Sequence, residues 1–449
     1  MRAAARRVAA GQAAQLRLAA SVARRCTDET RFLLAAAARA PGTPSDTELI
    51  VSLVTGELML MLGISQRAAE RMVALATRLD RVLPDTLDAL EAGRVDLARA
   101  TVLAEATEVL DDASARAVQA LVLPTAGAAP WDGPSPRTWR ARVDRAVVAV
   151  DADAARRRRE RAIRDRLVRA WAQGDGTGVL QIVGADTDVV LADRVITDLA
   201  YAWPAAAEDG SALNMDQRRV DALMDLFRRV AAGSNLPGVT PRRDREVGLV
   251  LHTDTFFGDG PAKDAPGELR GLGASAPVDP RTAAAIARTD IASGASTRVL
   301  LVDNVGLLQR TVRLPQAPPG GWTRPALTAA VLAQLPDLPP LQTDTYAPSV
   351  AITDHVRAVH PRCTSYDCAR LASRCDLDHD RPWPRGPTAA TNLCPRCRRH
   401  HELKTRGLVR TRLHTDGSLT TTTLLGLQVT MRPEPVPGHG PGEAYANSR

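Results

Sequence analysis

Five of the six cysteines lie between Cys363 and Cys397, and this crowding is the strongest constraint on how the chain can fold. The N-terminal sequence is an Ala- and Arg-rich amphipathic pattern without an apolar signal region, so we expect no secretory signal. In a chain that stays in the reducing cytoplasm, clustered cysteines indicate a metal site rather than disulfides. We therefore expect a cytoplasmic protein with a zinc-stabilised module near its C-terminus.

The spacing of these residues offers two halves of a tetrahedral zinc site. Cys363 and Cys368 form one knuckle, and Cys397 with His400 forms a Cys-x-x-His pair at a predicted helix start. Spacing alone leaves an alternative open, because Cys394 and Cys397 also form a Cys-x-x-Cys pair.

Positive charge is concentrated in the same part of the chain. Residues 351–412 contain thirteen Lys and Arg against six Asp and Glu, a net charge of +7. The whole chain also has a formal net charge of +7, so the remainder is balanced. A local excess of this kind is typical of a nucleic-acid-binding surface, and we expect DNA as the partner.

The first 350 residues predict a mainly helical region with some strands. Aromatic residues make up only 3% of the chain, so its cores must consist of Ala, Leu and Val, which suits packed helices. Helical spacing of apolar residues runs through 1–120, and a long charged helix is predicted over 138–169. No apolar run is long enough to cross a bilayer, so no membrane partner is expected. The remaining predictions are strands at 178–183, 247–252 and 297–302, a helix at 215–230, and loops at 258–278 and 315–348.

Two segments permit more than one interpretation. Residues 57–76 could form a helix-turn-helix with a turn at Gly63 and an exposed second helix carrying Arg67 and Glu70. An ordinary helical hairpin has the same pattern, and we favour it. The arginines at 156–159 could follow DNA phosphates, but nearby acidic residues favour a solvated, compensated helix face.

The C-terminal motifs resemble a known family. Their order is a Cys-x4-Cys knuckle, Cys-Asp-x-Asp-His at 375–379, Gly-Pro-Thr at 386–388, Asn-Leu at 392–393 and Cys-x-x-His-His-x-x-Lys at 397–404. This arrangement resembles HNH endonucleases of the actinobacterial type with an N-terminal DUF222 (13E12-repeat) region. Anchors similar to that region lie at 56–65, 83–94, 156–161 and 216–223, so the resemblance covers about residues 50–350. Arg396 stands where the family usually has Leu, and we expect it to touch no ligand.

The resemblance implies a role for each matching residue. Asp378 and His401 would hold a divalent ion, Mg²⁺ or another, against a DNA phosphate. His379 would be the general base, and Asn392 would orient its imidazole through an amide hydrogen bond. The zinc ligands that the family favours are Cys363, Cys368, Cys397 and His400. Cys375 is then expected to be buried rather than ligating. The residues expected to contact DNA are Arg381, Arg398, Arg399 and Lys404.

Together these features predict a mainly α N-terminal region with some β (α+β) over 1–350. A small zinc-stabilised ββα-metal HNH module follows over 351–430, with a trailing hairpin that turns at Asp416 and Gly417, and a disordered tail over 431–449. The implied activity is metal-dependent hydrolysis of DNA phosphodiester bonds, leaving 5′-phosphate and 3′-hydroxyl ends. The alternative is a non-catalytic zinc-containing protein that binds DNA or assembles with partners. The sequence does not indicate an oligomeric state.

Overall fold

The computed structural model describes residues 1–35, 44–124, 135–173, 176–207, 209–231, 248–270, 276–303 and 306–436. This part of the chain is rich in helices and has small antiparallel sheets, which confirms the α+β class. The chain divides into two compact units, one formed by Met1–Ala155 with Gly248–Arg449 and the other by Arg156–Val247. The N-terminal helices and the Cys-rich segment therefore belong to the same unit.

The N-terminal helices pack around a core of small aliphatic side chains. Buried Ala, Leu and Val residues form that core, and Trp139 is buried among them with its Nε1 donating to the Arg99 carbonyl at 3.1 Å. This is the packing that a chain poor in aromatic residues requires. The helices are α1 (Arg2–Ala35), α2 (Asp46–Leu62), α3 (Gln66–Arg81), α4 (Pro84–Glu91), α5 (Leu97–Ala106), α6 (Asp112–Val122) and α7 (Pro136–Val150).

Local capping chemistry sets the boundaries of α2 and α3. Ser45 and Glu48 form a reciprocal capping box at the start of α2. Gly63 ends the helix with a φ of 62°, a left-handed conformation that glycine adopts without strain. Ser65 then caps α3, and the two helices are bent by 114°. No described helix alone is long and apolar enough to cross a membrane, although this bent pair passes that test together by length and composition.

The predicted helix over residues 138–169 is wrong. The chain forms α7 and then a separate helix, α8 (Ala154–Arg164). Between them the Asp151 carboxylate accepts the backbone N–H of Asp153 at 3.0 Å, a local turn that competes with helix continuation. The arginines of α8 are compensated as favoured above, because Arg156 pairs with Glu160 and Arg159 with Asp186.

The second unit continues after α8 with a hairpin and two helices. Strands β1 (Leu167–Ala172) and β2 (Gly178–Val183) pair antiparallel, with Leu167 opposite Val183. They are followed by α9 (Asp186–Tyr201) and α10 (Met215–Ala231). Strand β2 and helix α10 confirm the predictions at 178–183 and 215–230.

The first unit resumes with short strands and helices. Its elements are β3 (Gly248–Val250), α11 (Thr253–Phe257), β4 (Gly267–Arg270), β5 (Ala276–Val278), α12 (Pro280–Ala292), β6 (Arg298–Val302), β7 (Leu308–Arg313), α13 (Arg324–Gln334), β8 (Gln342–Thr343) and α14 (Val350–Val359). Strands β3 and β6 confirm the strands predicted at 247–252 and 297–302. Residue 247 lies outside the described residues. The predicted loops at 258–278 and 315–348 instead contain β4, β5, α13 and β8. Thr323 caps α13 and Pro325 occupies its first turn, a position where proline costs no hydrogen bond.

The C-terminal module contains short antiparallel strands and a short helix. Its elements are β9 (Asp376–His379), β10 (Thr388–Ala389), β11 (Leu393–Arg396), α15 (Arg398–Thr405), β12 (Arg410–Leu413), β13 (Leu419–Thr422) and β14 (Gln428–Met431). Strands β9 and β11 pair with Cys394 opposite Asp378, and β10 pairs with β8. The trailing hairpin is confirmed and gains a third strand, β14. The predicted tail begins at the last residue of β14, and residues 437–449 of it lie outside the described residues.

The C-terminal module packs directly on α2 and α3. Leu403 and Leu408 share a small core with side chains of α1 and α2. The buried Glu57 carboxylate accepts the Thr423 hydroxyl and the Leu425 amide, each at 2.8 Å. On α3, Glu70 pairs with Arg399 at 3.3 Å. The N-terminal end of α3 therefore faces the C-terminal module, which favours the ordinary helical hairpin over the helix-turn-helix interpretation of 57–76.

Candidate metal centre and active site

Three cysteines and one histidine converge at the base of α15. The Cys363 amide donates to the Arg370 carbonyl at 2.7 Å, which folds the chain into a knuckle ahead of β9. Cys397 is the residue before α15, and His400 lies in its first turn. The ligand atoms of Cys363, Cys368, Cys397 and His400 all lie within 4.8 Å of one another. The chain thus has a Cys3His cluster that could bind a structural metal such as zinc, from the residues that the sequence favoured.

The donor chemistry of this cluster suits a metal. His400 Nδ1 lies 3.2 Å from the Cys397 sulfur and 3.4 Å from the Cys363 sulfur. Burial opposes a charge on His400, but hydrogen bonds to the two sulfurs outweigh it and raise its pKa to about 9. Hydrogen bonds with Cys368, Cys375, Cys397 and His400 outweigh burial and lower the pKa of the Cys363 thiol. Thiolate and imidazole in mutual contact are the donor set that zinc takes in structural sites.

The two remaining cysteines of the segment stay outside the cluster. Cys375 is buried beside Cys363, but its sulfur is directed to the Leu371 carbonyl at 3.3 Å, as a protonated thiol would be. Cys394 is fully buried on β11, and burial raises its pKa. The alternative pair of Cys394 and Cys397 is therefore not the one that the fold brings together.

Asp378 and His401 meet on the other side of α15. His401 Nε2 lies 3.3 Å from Asp378 Oδ1, so strand β9 and helix α15 place a carboxylate and an imidazole side by side. Asp378 is buried, which alone would raise its pKa. Hydrogen bonds from His401 and Lys404 outweigh that burial and hold the pKa below its ordinary value. The carboxylate is thus negatively charged near neutral pH.

Two cations already contact the second oxygen of this carboxylate. Lys404 Nζ lies 2.8 Å from Asp378 Oδ2 and also donates to the His379 carbonyl. Arg396 is fully buried, with its Nε 2.9 Å from the same oxygen. Lys404 thus points inward, and its contact with DNA stays a prediction. The expectation for Arg396 is wrong, because it does touch a predicted metal ligand. The only sequence signal for the contact of Arg396 with Asp378 was an arginine at a position where the family usually has Leu.

His379 is oriented by a threonine rather than by the predicted asparagine. Its Nε2 lies 2.8 Å from the Thr388 hydroxyl, and that hydroxyl donates to the Tyr346 carbonyl at 3.3 Å. Asn392 instead accepts the Arg381 amide at 2.9 Å and donates to the Arg381 and Pro387 carbonyls. Among the described contacts, its amide is thus used to hold the loop after β9. A terminal amide can serve either partner, so sequence could not distinguish them.

The predicted DNA-contacting arginines occupy three different settings. Arg381 is exposed on the loop after β9. Arg398 is also exposed and pairs with Asp376 at 3.2 Å. Arg399 is engaged with Glu70 of α3. Of the predicted set, Arg381 and Arg398 remain available on the surface.

One sequence family matches the chain over more than half of its length. The family described as "Domain of unknown function (DUF222)" matches residues 3–292. The chain belongs to the DUF222 family. The match begins before the expected residue 50 and ends before the expected residue 350, ahead of the Cys3His cluster.

Relatives of this DUF222 protein occur in Mycobacterium tuberculosis. The uncharacterized protein Rv3776 of strain H37Rv is 28% identical over 360 residues, which cover 78% of this chain and 64% of the relative. The uncharacterized protein Rv2100 of the same strain is 28% identical over 366 residues, covering 78% of this chain and 63% of the relative. The chain thus spans just under two thirds of the length of these relatives. No solved structure matches it.

Proposed function

We propose that this DUF222 protein is an HNH endonuclease that hydrolyses DNA phosphodiester bonds in the cytoplasm. The observation that carries the proposal is the 3.3 Å approach of His401 Nε2 to Asp378 Oδ1, beside the buried His379. One carboxylate oxygen and one imidazole nitrogen are a suitable pair of ligands for a divalent ion. Such an ion, when bound, would stabilise the negative charge that develops on the phosphate and the leaving 3′-oxygen.

The hydrogen bonds of His379 support its role as the base. Because the Thr388 hydroxyl donates to the Tyr346 carbonyl, its oxygen is left to accept a proton from His379 Nε2. That arrangement selects the tautomer with Nε2 protonated and Nδ1 free to take a proton from water. Burial lowers the pKa of His379 and outweighs the raising effect of Asp378. The imidazole is therefore neutral near pH 7, as a general base must be.

The surrounding residues hold this pair in place. Lys404 bonds to both the Asp378 carboxylate and the His379 carbonyl, and so fixes the end of β9 relative to α15. The Cys3His cluster, when loaded with zinc, would anchor the start of α15 and with it His401.

A second candidate is a non-catalytic zinc-containing protein that binds DNA or assembles with partners. It is favoured by the contacts of Arg396 and Lys404 with Asp378 Oδ2, because two cations already balance the carboxylate that would hold a divalent ion. The two functions differ in whether a divalent ion is required for any chemistry.

A plasmid-nicking assay on the full chain distinguishes them. Zinc content is first measured, and the protein is then exchanged into metal-free buffer without a strong chelator. We expect no nicking until Mg²⁺ or Mn²⁺ is added, and we expect further nicking to stop when Mg²⁺ is withdrawn. Failure to nick supercoiled plasmid with Mg²⁺, Mn²⁺, Ni²⁺ or Co²⁺, in protein that retains its zinc, would favour the non-catalytic function.

A further inference from the structure

Two exposed aromatic rings lie next to the candidate base. The ring of Tyr346 stacks on that of His379, with centroids 5.4 Å apart and planes inclined by 24°. The Trp383 ring meets Tyr346 edge-on at 5.9 Å. Tyr346 is 66% exposed and Trp383 is 43% exposed, in a chain with only 3% aromatic residues. The rings form a continuous surface that runs outward from the buried His379.

Hydrogen bonds hold the backbone that carries Trp383 at both ends of its loop. Asn392 bonds to the amide and carbonyl of Arg381 and to the carbonyl of Pro387, at the two ends of the loop. Gly386 closes the turn by donating to the Pro382 carbonyl at 3.0 Å. A Cβ at Gly386 would lie 2.5 Å from the Arg381 carbonyl oxygen, so no larger residue fits. The loop is thus shaped in advance by a buried side chain, although its own aromatic ring is exposed.

The charge around these rings is positive. Arg381 and Arg385 lie on the same loop on either side of Trp383, and both are exposed. In the described part of the chain, neither side chain takes part in an ion pair. Aromatic faces bordered by free guanidinium groups are the combination with which proteins hold unpaired nucleotides, since the rings stack on bases and the cations meet phosphates.

We propose that Tyr346, Trp383, Arg381 and Arg385 form a subsite for an unpaired or extrahelical nucleobase of the DNA, next to the phosphate that is cut. This subsite, here called the stacking subsite, rests on the proposed function and narrows its substrate to DNA with locally unpaired nucleotides. Asn392 is its positioning residue, because it shapes the loop without facing the base.

Binding of full-length protein to two labelled DNAs tests the subsite. One is a duplex with three unpaired nucleotides at its centre, and the other is the fully paired duplex of the same sequence. Affinity is measured by fluorescence anisotropy without added divalent ion, and 2-aminopurine at an unpaired position reports stacking by its quenching. We expect tighter binding of the unpaired duplex, with quenching.

The variants Trp383→Leu and Tyr346→Leu should each lose roughly tenfold in affinity for the unpaired duplex, because one base–aromatic stack is removed. Their affinity for the paired duplex should change by less than about twofold. Tyr201→Leu is the matched control, since Tyr201 is an exposed tyrosine in the other unit. Arg381→Ala with Arg385→Ala should make the slope of log affinity against log salt shallower by about one to two units.

The outcomes separate this inference from the nuclease proposal. Equal binding of the two DNAs by the wild-type chain, or unchanged affinity in both aromatic variants, would overturn the stacking subsite even if plasmid is nicked. Preferential, Trp383-dependent binding without nicking of any DNA would keep the subsite and overturn the nuclease. Preferential binding together with nicking at the unpaired nucleotides would support both.

Discussion

The Nε of Arg396 lies 2.9 Å from Oδ2 of Asp378, and both side chains are buried within the C-terminal module. This ion pair places a fixed positive charge against the carboxylate that we propose as a metal ligand. Lys404 contacts the same oxygen. The other oxygen, Oδ1, lies beside His401 and is the one that we propose binds the divalent ion.

Replacing Arg396 should therefore change the metal requirement. In Arg396→Leu the negative charge of Asp378 is less neutralised, and the Mg²⁺ concentration for half-maximal nicking should fall several-fold. Loss of a buried partner should also lower the free energy of unfolding by roughly 1–3 kcal/mol. Arg410→Leu, at an exposed arginine of β12, is the control. An unchanged Mg²⁺ midpoint would show that Arg396 does not tune the site.

His379→Ala should abolish most nicking without affecting the fold. Removal of a general base typically lowers the rate by about 10²–10⁴-fold. Zinc content and melting temperature should stay close to those of the wild type, because His379 is outside the Cys3His cluster. His414→Ala, in the trailing hairpin, should nick normally. Substantial cutting by His379→Ala with several divalent ions would exclude the assigned base.

Thr388→Val tests the tautomer of His379. Valine keeps the volume of this buried side chain but cannot accept the Nε2 proton. We expect the rate of nicking to fall by about tenfold, which is the equivalent of one hydrogen bond. The acid limb of the pH–rate profile should also be displaced. Thr364→Val removes a comparable buried hydroxyl, which bonds to the Pro395 carbonyl, and should leave the profile in place. Identical pH profiles for the two variants would contradict the role of Thr388.

Cys363→Ser and Cys375→Ser test the cluster. The first should release zinc and destabilise the C-terminal module, because ligand binding and folding of this segment are coupled. The second should keep one zinc per chain, because the Cys375 sulfur lies outside the Cys3His cluster and donates to the Leu371 carbonyl. Elemental analysis and thermal melts provide the readout. Zinc retained in Cys363→Ser but lost in Cys375→Ser would reverse the two assignments.

Glu57 should make stability depend on pH. Burial raises its pKa and outweighs the hydrogen bonds from Leu425 and Thr423. A carboxyl with a raised folded-state pKa contributes stability that is present below its unfolded pKa and is lost as pH rises through the folded value. Glu57→Gln can still accept the Leu425 amide and donate to Thr423, so it should remove this loss. Urea unfolding from pH 4 to 8 gives the free energy of unfolding at each pH. Its pH profile should be flatter for Glu57→Gln than for the wild type, and Glu57→Ala should be strongly destabilised. Parallel profiles for the wild type and Glu57→Gln would count against this account.

The sequence predicted the cluster well because ligand spacing is a local property. Cys363 with Cys368, and Cys397 with His400, lie within one knuckle or one helical turn, so few folds could separate them. The contacts of Arg396 depend instead on the register of β9 and β11, which places it on the face that carries Asp378. Tyr346 reaches His379 only because β8 pairs with β10, a pairing too short for a sequence pattern to indicate.

The prediction of one long helix over 138–169 failed for a related physical reason. The composition of this segment suits a helix throughout, but the Asp151 carboxylate accepts the Asp153 amide between α7 and α8, and β1 begins at Leu167. The docking of α3 on the C-terminal module was also hidden, since Glu70 and Arg399 are each ordinary surface residues in sequence. Their pairing required the fold.

Helix α15 carries His400 and His401 in succession, and the two imidazoles have different partners: His400 contacts the cysteine sulfurs and His401 contacts Asp378. Consecutive residues point about 100° apart around a helix axis, so the sulfur ligands that capture His400 also set the rotational phase at which His401 meets Asp378. An insertion or deletion of one residue between Cys397 and His401 would turn the second imidazole away even if the cluster re-formed. Homologous sequences should therefore keep the spacing between Cys397 and His401 invariant.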